Sequence, residues 1–466
     1  MKYTKLVNFK NPYSWKEEKR QVLVSYQDID GNEIWIEEKT LQSFLLLKSF
    51  LKEKGIDIGI TSAYRSVEEQ EILFQKRVEE VGLEETKKYV ASPFCSEHHT
   101  GLALDIAVKI EDGYLEEANE QTIPLLEEIH SYLSSFGFIL RYPKEKESIT
   151  GFSYEPWHIR YVGNIPAMMM EKYHLCLEEY VEDFGGVLYI FKEAGMTSFD
   201  VVREVSRLFG ISKVGHTGTL DPMAKGILLV AVGKATKIVE LLTSKEKEYV
   251  AKARLGLLTD TGDITGKIVK EEKVESNNLS YAIASFPQTY LQEVPIYSAV
   301  KVNGKKLYEY AREGKKVTLP KKEVHIYEIE LLEQNGNDFT FRTLVSKGCF
   351  IRSLIQDIAA SIGTIATMTD LLRTKQGSIT AEECVSLQDI QRGEFEMHRI
   401  SDVFKEYPLV QVDETIEKKI QNGNSLPNFC QVSDFVFFQN SKGKLLGIYQ
   451  EKNGELVVYK NFCTNS

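Results

Sequence analysis

The chain has 466 residues, which is too many for a single hydrophobic core, so two or three domains are expected. Its composition, 42% hydrophobic and 27% charged, excludes a disordered chain and a membrane protein. No apolar run approaches the roughly 20 residues of a membrane span. The first residues lack a signal-peptide pattern, and six cysteines are scattered without a CxxC pair. These features predict a cytoplasmic location with reduced thiols and no membrane partner.

The first part of the sequence predicts an α+β domain. Ser66 and Glu69 form a capping box, which opens a helix. Alternating apolar residues predict strands, and Asp105 falls on the less bulky face of the first one. The predicted elements are helices at 66–81 and 124–136 and strands at 101–108 and 157–162.

A boundary is predicted near 181–186, where a charged, helix-like stretch over 168–180 meets Gly185 and Gly186. Beyond it, Thr197 and Asp200 form a second capping box, for a helix that ends at Gly210. The other predicted elements are strands at 187–191, 249–255, 324–332, 432–438 and 445–449 and a helix at 351–362. The predicted domains are 1–180, 186–400 and a small β-rich appendage over 401–466.

Two sequence segments together contain the ligand set of a catalytic zinc site. The first is S-E-H-H-T-G-L-A-L-D, from 96 to 105, and the second is E-P-W-H, from 155 to 158. Two histidines and one carboxylate leave a fourth zinc position for water, and a nearby carboxylate takes the proton of that water. His98, Asp105 and His158 are the candidate ligands, and Glu155 is the candidate base. A single His-x6-Asp pair is more often structural, but the full ordered set favours a metal site.

Residues 60–165 resemble the VanY-type D-alanyl-D-alanine carboxypeptidases and their dipeptidase relatives. The resemblance is carried by S-A-Y-R-S at 62–66, by S-x-H-x-x-G-x-A-x-D at 96–105 and by E-P-W-H-x-R-Y-V-G at 155–163. It implies an α+β fold, zinc on the three ligands named above and Glu155 as acid and base. It also implies that Arg65 stabilises the tetrahedral intermediate and that Ser96 contacts the substrate, a D-Ala-D-Ala peptide or dipeptide. The sequence leaves open whether the enzyme prefers a D,D or an L,D peptide bond. It also leaves open that this part of the chain is a non-catalytic peptide-binding module.

The second motif presents one carboxylate on a glycine-rich loop. Asp221 lies in K-V-G-H-T-G-T-L-D-P-M-A-K-G, from 213 to 226, and Pro222 restricts the backbone directly after it. From spacing alone this carboxylate fits a nucleophile, a metal ligand or a helix cap.

Residues 186–400 resemble the TruB family of tRNA pseudouridine synthases. The matching blocks are G-M-T-S-F-D-V-V at 195–202, G-H-T-G-T-L-D-P at 215–222, K-E-Y at 247–249, T-D-T-G-D at 259–263, Q-x-x-P-x-x-S-A-x-K at 292–301, S-K-G-C-F-I-R-S-L at 346–354 and L-L-R at 371–373. The resemblance implies a mixed sheet with flanking helices, a tRNA substrate modified at uridine 55 of the T-loop, and no cofactor for this domain.

The resemblance also implies the roles of individual residues. Asp221 is the catalytic carboxylate acting at the ribose, and Arg352 pairs with it. Tyr249 stacks under the uracil, and a role as the base stays open for it. The remaining implied substrate contacts are His216, which fills the space left by the flipped base, and Leu371 and Phe350, which line the pocket.

Two positions depart from the family pattern. Glu193 stands where the family has proline, and Phe350 stands where it has tyrosine. The second departure removes a hydroxyl group next to the active site, which predicts retuned or reduced activity. It leaves open an alternative in which this half acts mainly as an RNA-binding and tRNA-folding module.

The net charge of −11 argues weakly against nucleic-acid binding, but the charge is uneven. Basic residues exceed acidic ones over 301–323, where Tyr308 and Tyr310 are interleaved with the lysines. This pattern favours RNA contact by phosphate neutralisation and stacking. We therefore expect a multidomain α+β protein with two activities, and two independent enzymes sharing one chain stay an alternative.

Overall fold

The computed structural model describes residues 2–14, 22–111, 113–116, 118–274 and 278–463. The chain divides into two compact units. The first unit comprises Met1–Gly185, Val205–Lys213 and Gln391–Glu394, and the second comprises Gly186–Glu204, Val214–Ile390 and Phe395–Ser466. Both units mix helices and strands, which confirms the predicted fold class. The limits of the three predicted domains stay a prediction.

The first unit is built on a five-stranded antiparallel sheet in the order β3-β4-β7-β6, with β5 paired to β4. The strands of this unit are β1 (Leu23–Gln27), β2 (Glu33–Glu37), β3 (Ile58–Ser62), β4 (Ala103–Ile110), β5 (Gly113–Leu115), β6 (Phe138–Leu140) and β7 (His158–Tyr161). Its helices are Glu38–Glu53, Val67–Val81, Leu83–Thr86, Thr122–His130, Glu147–Thr150, Asn164–Tyr173 and Leu177–Glu182. Its 3-10 turns are Glu97–Thr100, Leu133–Phe136 and Lys144–Lys146.

Strand β4 separates the hydrophobic core of this unit from a polar face. Leu104, Ile106 and Val108 pack into the core with Phe44 of the first helix. Because side chains alternate along a strand, Asp105 emerges on the other face. There it lies directly opposite His158 of β7 in the antiparallel register. The predicted strands at 101–108 and 157–162 are thus confirmed, with ends that differ by one or two residues.

Two helix predictions in this unit are corrected at their ends. The helix predicted over 124–136 ends at His130, and a separate 3-10 turn follows until Gly137, whose φ of 78° terminates it. The helix-like stretch predicted over 168–180 is broken at His174, which has a left-handed φ of 52°. Hydrophobic periodicity continues across both breaks, so it could not locate them.

The second unit contains a nine-stranded sheet in the order β14-β17-β18-β11-β19-β10-β8, with β9 paired to β10 and β20 to β19. Its first strands are β8 (Gly185–Lys192), β9 (Val214–His216), β10 (Lys225–Gly233), β11 (Lys247–Leu255), β12 (Leu257–Thr259), β13 (Ile268–Glu271), β14 (Thr289–Glu293), β15 (Lys301–Val302) and β16 (Lys305–Lys306). These are followed by β17 (Lys321–Asn335), β18 (Asp338–Val345), β19 (Ala366–Gln376), β20 (Ile379–Thr380), β21 (Leu409–Gln411), β22 (Leu426–Pro427), β23 (Phe435–Gln439), β24 (Leu445–Lys452) and β25 (Glu455–Asn461).

Most helices after β8 lie within this unit, although Ser198–Phe209 and Leu387–Arg392 end in segments of the first unit. The helices after β8 are Ser198–Phe209, Val239–Ser244, Leu279–Ala284, Leu307–Arg312, Ile351–Ser361, Leu387–Arg392, Ile400–Val403 and Glu414–Gln421, with 3-10 turns at Lys234–Ile238 and Ala381–Glu383. Helix Ile351–Ser361 buries Leu354, Ile355 and Ile358 in the core formed with the sheet. The predicted helix at 351–362 and the three predicted strands between 187 and 332 are confirmed.

The C-terminal part of the chain forms a five-stranded sheet in the order β21-β23-β24-β25-β22. This confirms the predicted β-rich appendage, although β23 begins at Phe435 and not at 432. None of the helices in the described ranges is both long and apolar enough to cross a membrane.

Candidate active sites

The first site joins three side chains from three elements. His98 lies in the 3-10 turn Glu97–Thr100, Asp105 in β4 and His158 in β7. Oδ2 of Asp105 lies 3.2 Å from Nε2 of His98, and Oδ1 lies 2.9 Å from Nδ1 of His158. One ligand atom from each residue falls within 4.8 Å of the others. The structure thus brings the three predicted zinc ligands together.

Hydrogen bonds orient these side chains for a metal. The backbone oxygen of Ala63 lies 2.5 Å from Nδ1 of His98, which leaves Nε2 facing Asp105. Nε2 of His158 is buried and finds no hydrogen-bond partner among the described residues. The two histidines hold the pKa of Asp105 well below its usual range, although burial opposes them. A carboxylate between two imidazoles is a donor set that fits a zinc ion.

Glu155 lies beside this cluster. Its Oε2 is 3.7 Å from Nδ1 of His158, so the chain around Pro156 lets two side chains three residues apart converge. Burial raises the pKa of Glu155 to about 8, and His158 partly offsets that effect. A carboxyl group with such a pKa suits proton transfer near neutral pH.

Arg65 is held at the wall of the same cavity. Its guanidinium donates to Ser62 Oγ (2.7 Å) and to Gln70 Oε1 (3.0 Å). Ser96 also lines the cavity, and its hydroxyl accepts from the backbone N–H of His98 at 3.3 Å. The cavity has a volume of about 180 Å³ and is lined by all six predicted residues. Gln70 was not predicted, although it lies in the first turn of the helix that Ser66 caps.

A buried network of four charges underlies this site, and the sequence analysis did not predict it. Oε1 of Glu97 lies 2.9 Å from Nε of Arg141 and Oε2 lies 2.9 Å from Nη1 of Arg160, so the carboxylate forms an ion pair with both arginines. Arg141 also pairs with Glu178 at 2.6 Å. The side chains of Glu97, Arg141 and Arg160 are at most 1% exposed. The available signal was the charged residue next to each histidine motif, in S-E-H and W-H-I-R.

The second site centres on a paired carboxylate in the second unit. Arg352 contacts both oxygens of Asp221, with Nη2 3.0 Å from Oδ1 and Nε 2.8 Å from Oδ2. Two backbone oxygens, those of Thr261 and Tyr297, accept the remaining guanidinium bonds at 2.8 and 2.9 Å. Arg352 is 5% exposed, whereas the side chain of Asp221 is 27% exposed, so the carboxylate is the member of the pair that faces solvent. This geometry matches the pairing that the resemblance implied.

A cavity of about 620 Å³ adjoins Asp221. Tyr249, Phe350, Arg352 and Leu371 line it, as predicted for substrate contacts. His216 is not among the described residues that line this cavity; it lies in β9, opposite Val230 of β10. Its predicted role in filling the space of a flipped base stays a prediction.

Arg373 supports this cavity from β19. It donates to Tyr249 Oη at 3.2 Å and to the carbonyls of Gly218 and Ile227 at 3.2 and 3.1 Å. Gly226 makes this close packing possible, because a Cβ atom there would lie 2.1 Å from the carbonyl oxygen of Arg373. The motif L-L-R contained Arg373, but nothing in its spacing indicated this supporting role.

The charges around Asp221 partly cancel. Burial raises its pKa, and Asp263 adds to the rise, whereas Arg352 and Lys192 lower it. Lys192 is fully buried and donates to the backbone oxygens of Met196 and Glu193 at 2.7 and 2.9 Å. Because the contact at Glu193 is made by its backbone, the missing proline leaves this bond intact.

Comparisons with known proteins find relatives of both parts of the chain. Residues 206–351 match the family model of the TruB family pseudouridylate synthase (N terminal domain), and residues 33–164 match that of the D-alanyl-D-alanine carboxypeptidase. A tRNA pseudouridine synthase B of Bacillus pumilus is 39% identical over 288 residues, which cover 57% of this chain and 93% of the relative.

Further similar proteins match each part of the chain. A tRNA pseudouridine synthase B of Clostridium acetobutylicum is 42% identical over 242 residues, covering 51% of this chain and 84% of the relative. The solved structure of VanYB in complex with D-alanine-D-alanine is 32% identical, covers 38% of this chain and 96% of that chain, and has a TM-score of 0.33.

Proposed function

Because this chain belongs to the tRNA pseudouridine synthase B family and residues 33–164 match the D-alanyl-D-alanine carboxypeptidase model, we propose that it is an enzyme with two activities. The second unit converts uridine 55 in the T-loop of tRNA to pseudouridine. The first unit is a zinc-dependent peptidase that hydrolyses a bond next to a terminal D-alanine. Because tRNA is one substrate, both activities belong in the cytoplasm.

The Asp221–Arg352 pair carries the proposal for the synthase. The target uridine leaves its stack at a cost of a few kcal/mol and enters the cavity beside Asp221. Arg352 holds the carboxylate of Asp221 ionised and aimed at the ribose. The bond from N1 of uracil to C1′ breaks, the base rotates, C5 bonds to C1′, and C5 then loses its proton. Tyr249 supports the base, and neither a metal nor an organic cofactor takes part.

The synthase is tested on an unmodified tRNA transcript by mapping pseudouridine at single-nucleotide resolution. We expect modification at uridine 55 with the wild-type chain and none above background with Asp221→Asn. Asp338→Asn is the matched control, because Asp338 is an exposed aspartate paired with Arg254 in the same unit. If the wild-type chain binds tRNA without modifying it, the alternative of an RNA-binding and tRNA-folding module replaces the proposal.

The cluster of His98, Asp105 and His158 carries the proposal for the peptidase. These residues would hold zinc, which when bound acidifies a water molecule. The carboxylate of Glu155 is placed to accept a proton from an attacking water molecule and to return it to the leaving amine. Arg65 neutralises the developing oxyanion or the terminal carboxylate of the substrate. Ser96 contacts the peptide from the same cavity wall.

The peptidase is tested by measuring D-alanine release from D-Ala-D-Ala, from a pentapeptide ending in D-Ala-D-Ala and from a tetrapeptide with an L,D bond. Glu155→Gln is expected to lower the rate by about 10²–10⁴-fold, because it removes general-base catalysis. The variant is expected to retain one zinc ion by metal analysis, because its ligands are unchanged. The exposed Glu145→Gln is the control. Stoichiometric zinc without hydrolysis of any of the three peptides by the wild type would favour a peptide-binding module.

A further inference from the structure

Gln292 is a buried amide on a strand whose other residues are exposed, apart from the half-buried Tyr290. It lies in β14 (Thr289–Glu293), at one edge of the nine-stranded sheet, and is 1% exposed. Burying an amide is unfavourable unless its polar atoms find hydrogen-bond partners. The partners of Gln292 therefore show what the buried amide is for.

The side chain of Gln292 forms hydrogen bonds with both the backbone N–H and the backbone carbonyl of one residue, Phe350. Its Oε1 accepts from the N–H of Phe350 at 2.7 Å, and its Nε2 donates to the carbonyl oxygen of Phe350 at 3.2 Å. The Nε2 group also donates to Tyr290 Oη at 2.6 Å. The amide thus holds Phe350 as a neighbouring β-strand would, and Tyr290 fixes the rotation of the amide.

Phe350 is the residue from which helix Ile351–Ser361 begins. Its backbone is extended, with φ −102° and ψ 115°, and no side chain caps the helix. Two further bonds tie the helix to the segment around β14. Ser353 Oγ donates to the carbonyl of Glu293 at 3.0 Å, and Tyr290 Oη donates to Asp357 at 2.9 Å. The start of the helix is therefore fixed from one side by a single strand.

Arg352 lies in the first turn of this helix. Its guanidinium makes a two-point contact with Asp221 and reaches two backbone oxygens, so all these bonds depend on where the helix begins. A displacement of 1 Å in such an arrangement costs about 10²-fold in rate.

We propose that Gln292 is a positioning residue of the synthase reaction, because its amide fixes the backbone at Phe350 and thereby places Arg352 on Asp221. This inference rests on the proposed function of the second unit. Gln292 contacts the backbone at position 350, so the presence of phenylalanine in place of the family's tyrosine does not alter these bonds.

The test compares Gln292→Met and Gln292→Glu with the wild-type chain. Methionine keeps the volume of the side chain but removes its hydrogen bonds. Glutamate replaces the amide N–H that donates to the Phe350 carbonyl with an oxygen, which cannot donate. The single-turnover rate of pseudouridine formation on tRNA is expected to fall by about 10²-fold in both variants. Affinity for tRNA is expected to change less than about threefold, because phosphate contacts dominate it. Gln288→Met is the control, since Gln288 is an exposed glutamine four residues earlier.

A pH–rate profile separates positioning from a loss of folded protein. The charged groups that act on Asp221 are Arg352, Asp263 and Lys192. A displaced Arg352 lowers the pKa of Asp221 less, so the acid limb of the profile is expected to move to higher pH in both Gln292 variants. An unfolded fraction would reduce the rate at every pH and leave the limb in place.

Two results would overturn the inference. One is a Gln292→Met rate within about threefold of the wild-type rate, because a misplaced catalytic group lowers the rate by about 10²-fold. The other is a reduced rate with an unmoved acid limb. If both Gln292 variants fail to fold, Gln292→Asn takes their place, because its side chain is one methylene shorter and withdraws the amide from Phe350; an unchanged rate and profile there would equally reject the inference. Failure of the proposed function is distinguishable, because the wild type itself would then form no pseudouridine.

Discussion

Asp221 is a partly buried carboxylate whose protonation depends on the charged groups around it. Burial raises its pKa, and the Arg352 guanidinium is the largest influence that lowers it. The ionised form is the reactive one in the proposed mechanism. Activity is therefore present above the pKa of Asp221 and is lost as the pH falls through it.

The first prediction is that Arg352→Met shifts the acid limb of the pH–rate profile to higher pH and lowers the plateau. Arg352→Lys is expected to give a smaller shift, because it keeps the charge but loses the two-point contact. The measurement is single-turnover pseudouridine formation across the pH range. Arg254→Met, at an exposed ion pair of the same unit, serves as the control. An acid limb that stays in place in Arg352→Met would contradict the electrostatic role.

The 3-10 turn Glu97–Thr100 is a short, buried element that presents His98. Its attachment to the sheet comes from Glu97, which binds Arg160 of β7 and Arg141 at the end of β6. Buried ion pairs stabilise little relative to an apolar core, but breaking one leaves a charge without compensation. The network therefore fixes where the turn lies more than it adds to stability.

The second prediction is that Glu97→Gln lowers the free energy of unfolding of the first unit by about 3–5 kcal/mol, because two buried arginines lose their shared partner. It is also expected to weaken zinc binding, measured by titration with a chromogenic chelator. Glu85→Gln breaks the exposed pair with Lys88 and is expected to leave both quantities unchanged. Equal effects of the two substitutions on unfolding would refute the prediction.

At the scale of the whole molecule, the two sites use separate chemistry. At the first site, ligand atoms of His98, Asp105 and His158 lie within 4.8 Å of one another, as a metal ion requires. The cavity at Asp221 is instead lined by an ion pair and aromatic side chains. Zinc is proposed for the first site only. The two activities should therefore respond differently to removal of the metal.

The third prediction is that dialysis against a zinc chelator abolishes release of D-alanine and leaves pseudouridine formation unchanged. Restoring zinc is expected to recover the peptidase, which excludes irreversible unfolding as the cause. Both activities are measured on one preparation of the full chain, before and after dialysis. A parallel loss of both activities on chelation would show that the synthase depends on the metal.

The sequence predicted the fold class, seven of the strands and, except for His216, the side chains that lie together at each site. His98, Asp105 and His158 were predictable because zinc binds few kinds of side chain. The order of the two motifs in the sequence then reduced the candidate ligands to these three. The network of Glu97 and Arg141 was not predictable, since the partners of a buried charge come from elements distant in sequence. The predicted ends of two helices were wrong for a different reason. Hydrophobic periodicity continues through a left-handed residue such as His174, so it does not reveal that the helix stops there.

The pairing of β10 with β19 has a consequence for biosynthesis. The two strands meet at Gly226 and Arg373, so the pocket at Asp221 stays incomplete until Arg373 has left the ribosome. All predicted ligands of the first site, by contrast, precede residue 159 in the chain. At a synthesis rate of 5–20 residues per second, the two sites become complete roughly 10–40 s apart. During this interval the nascent chain already carries the residues for one activity while it still lacks the pocket for the other.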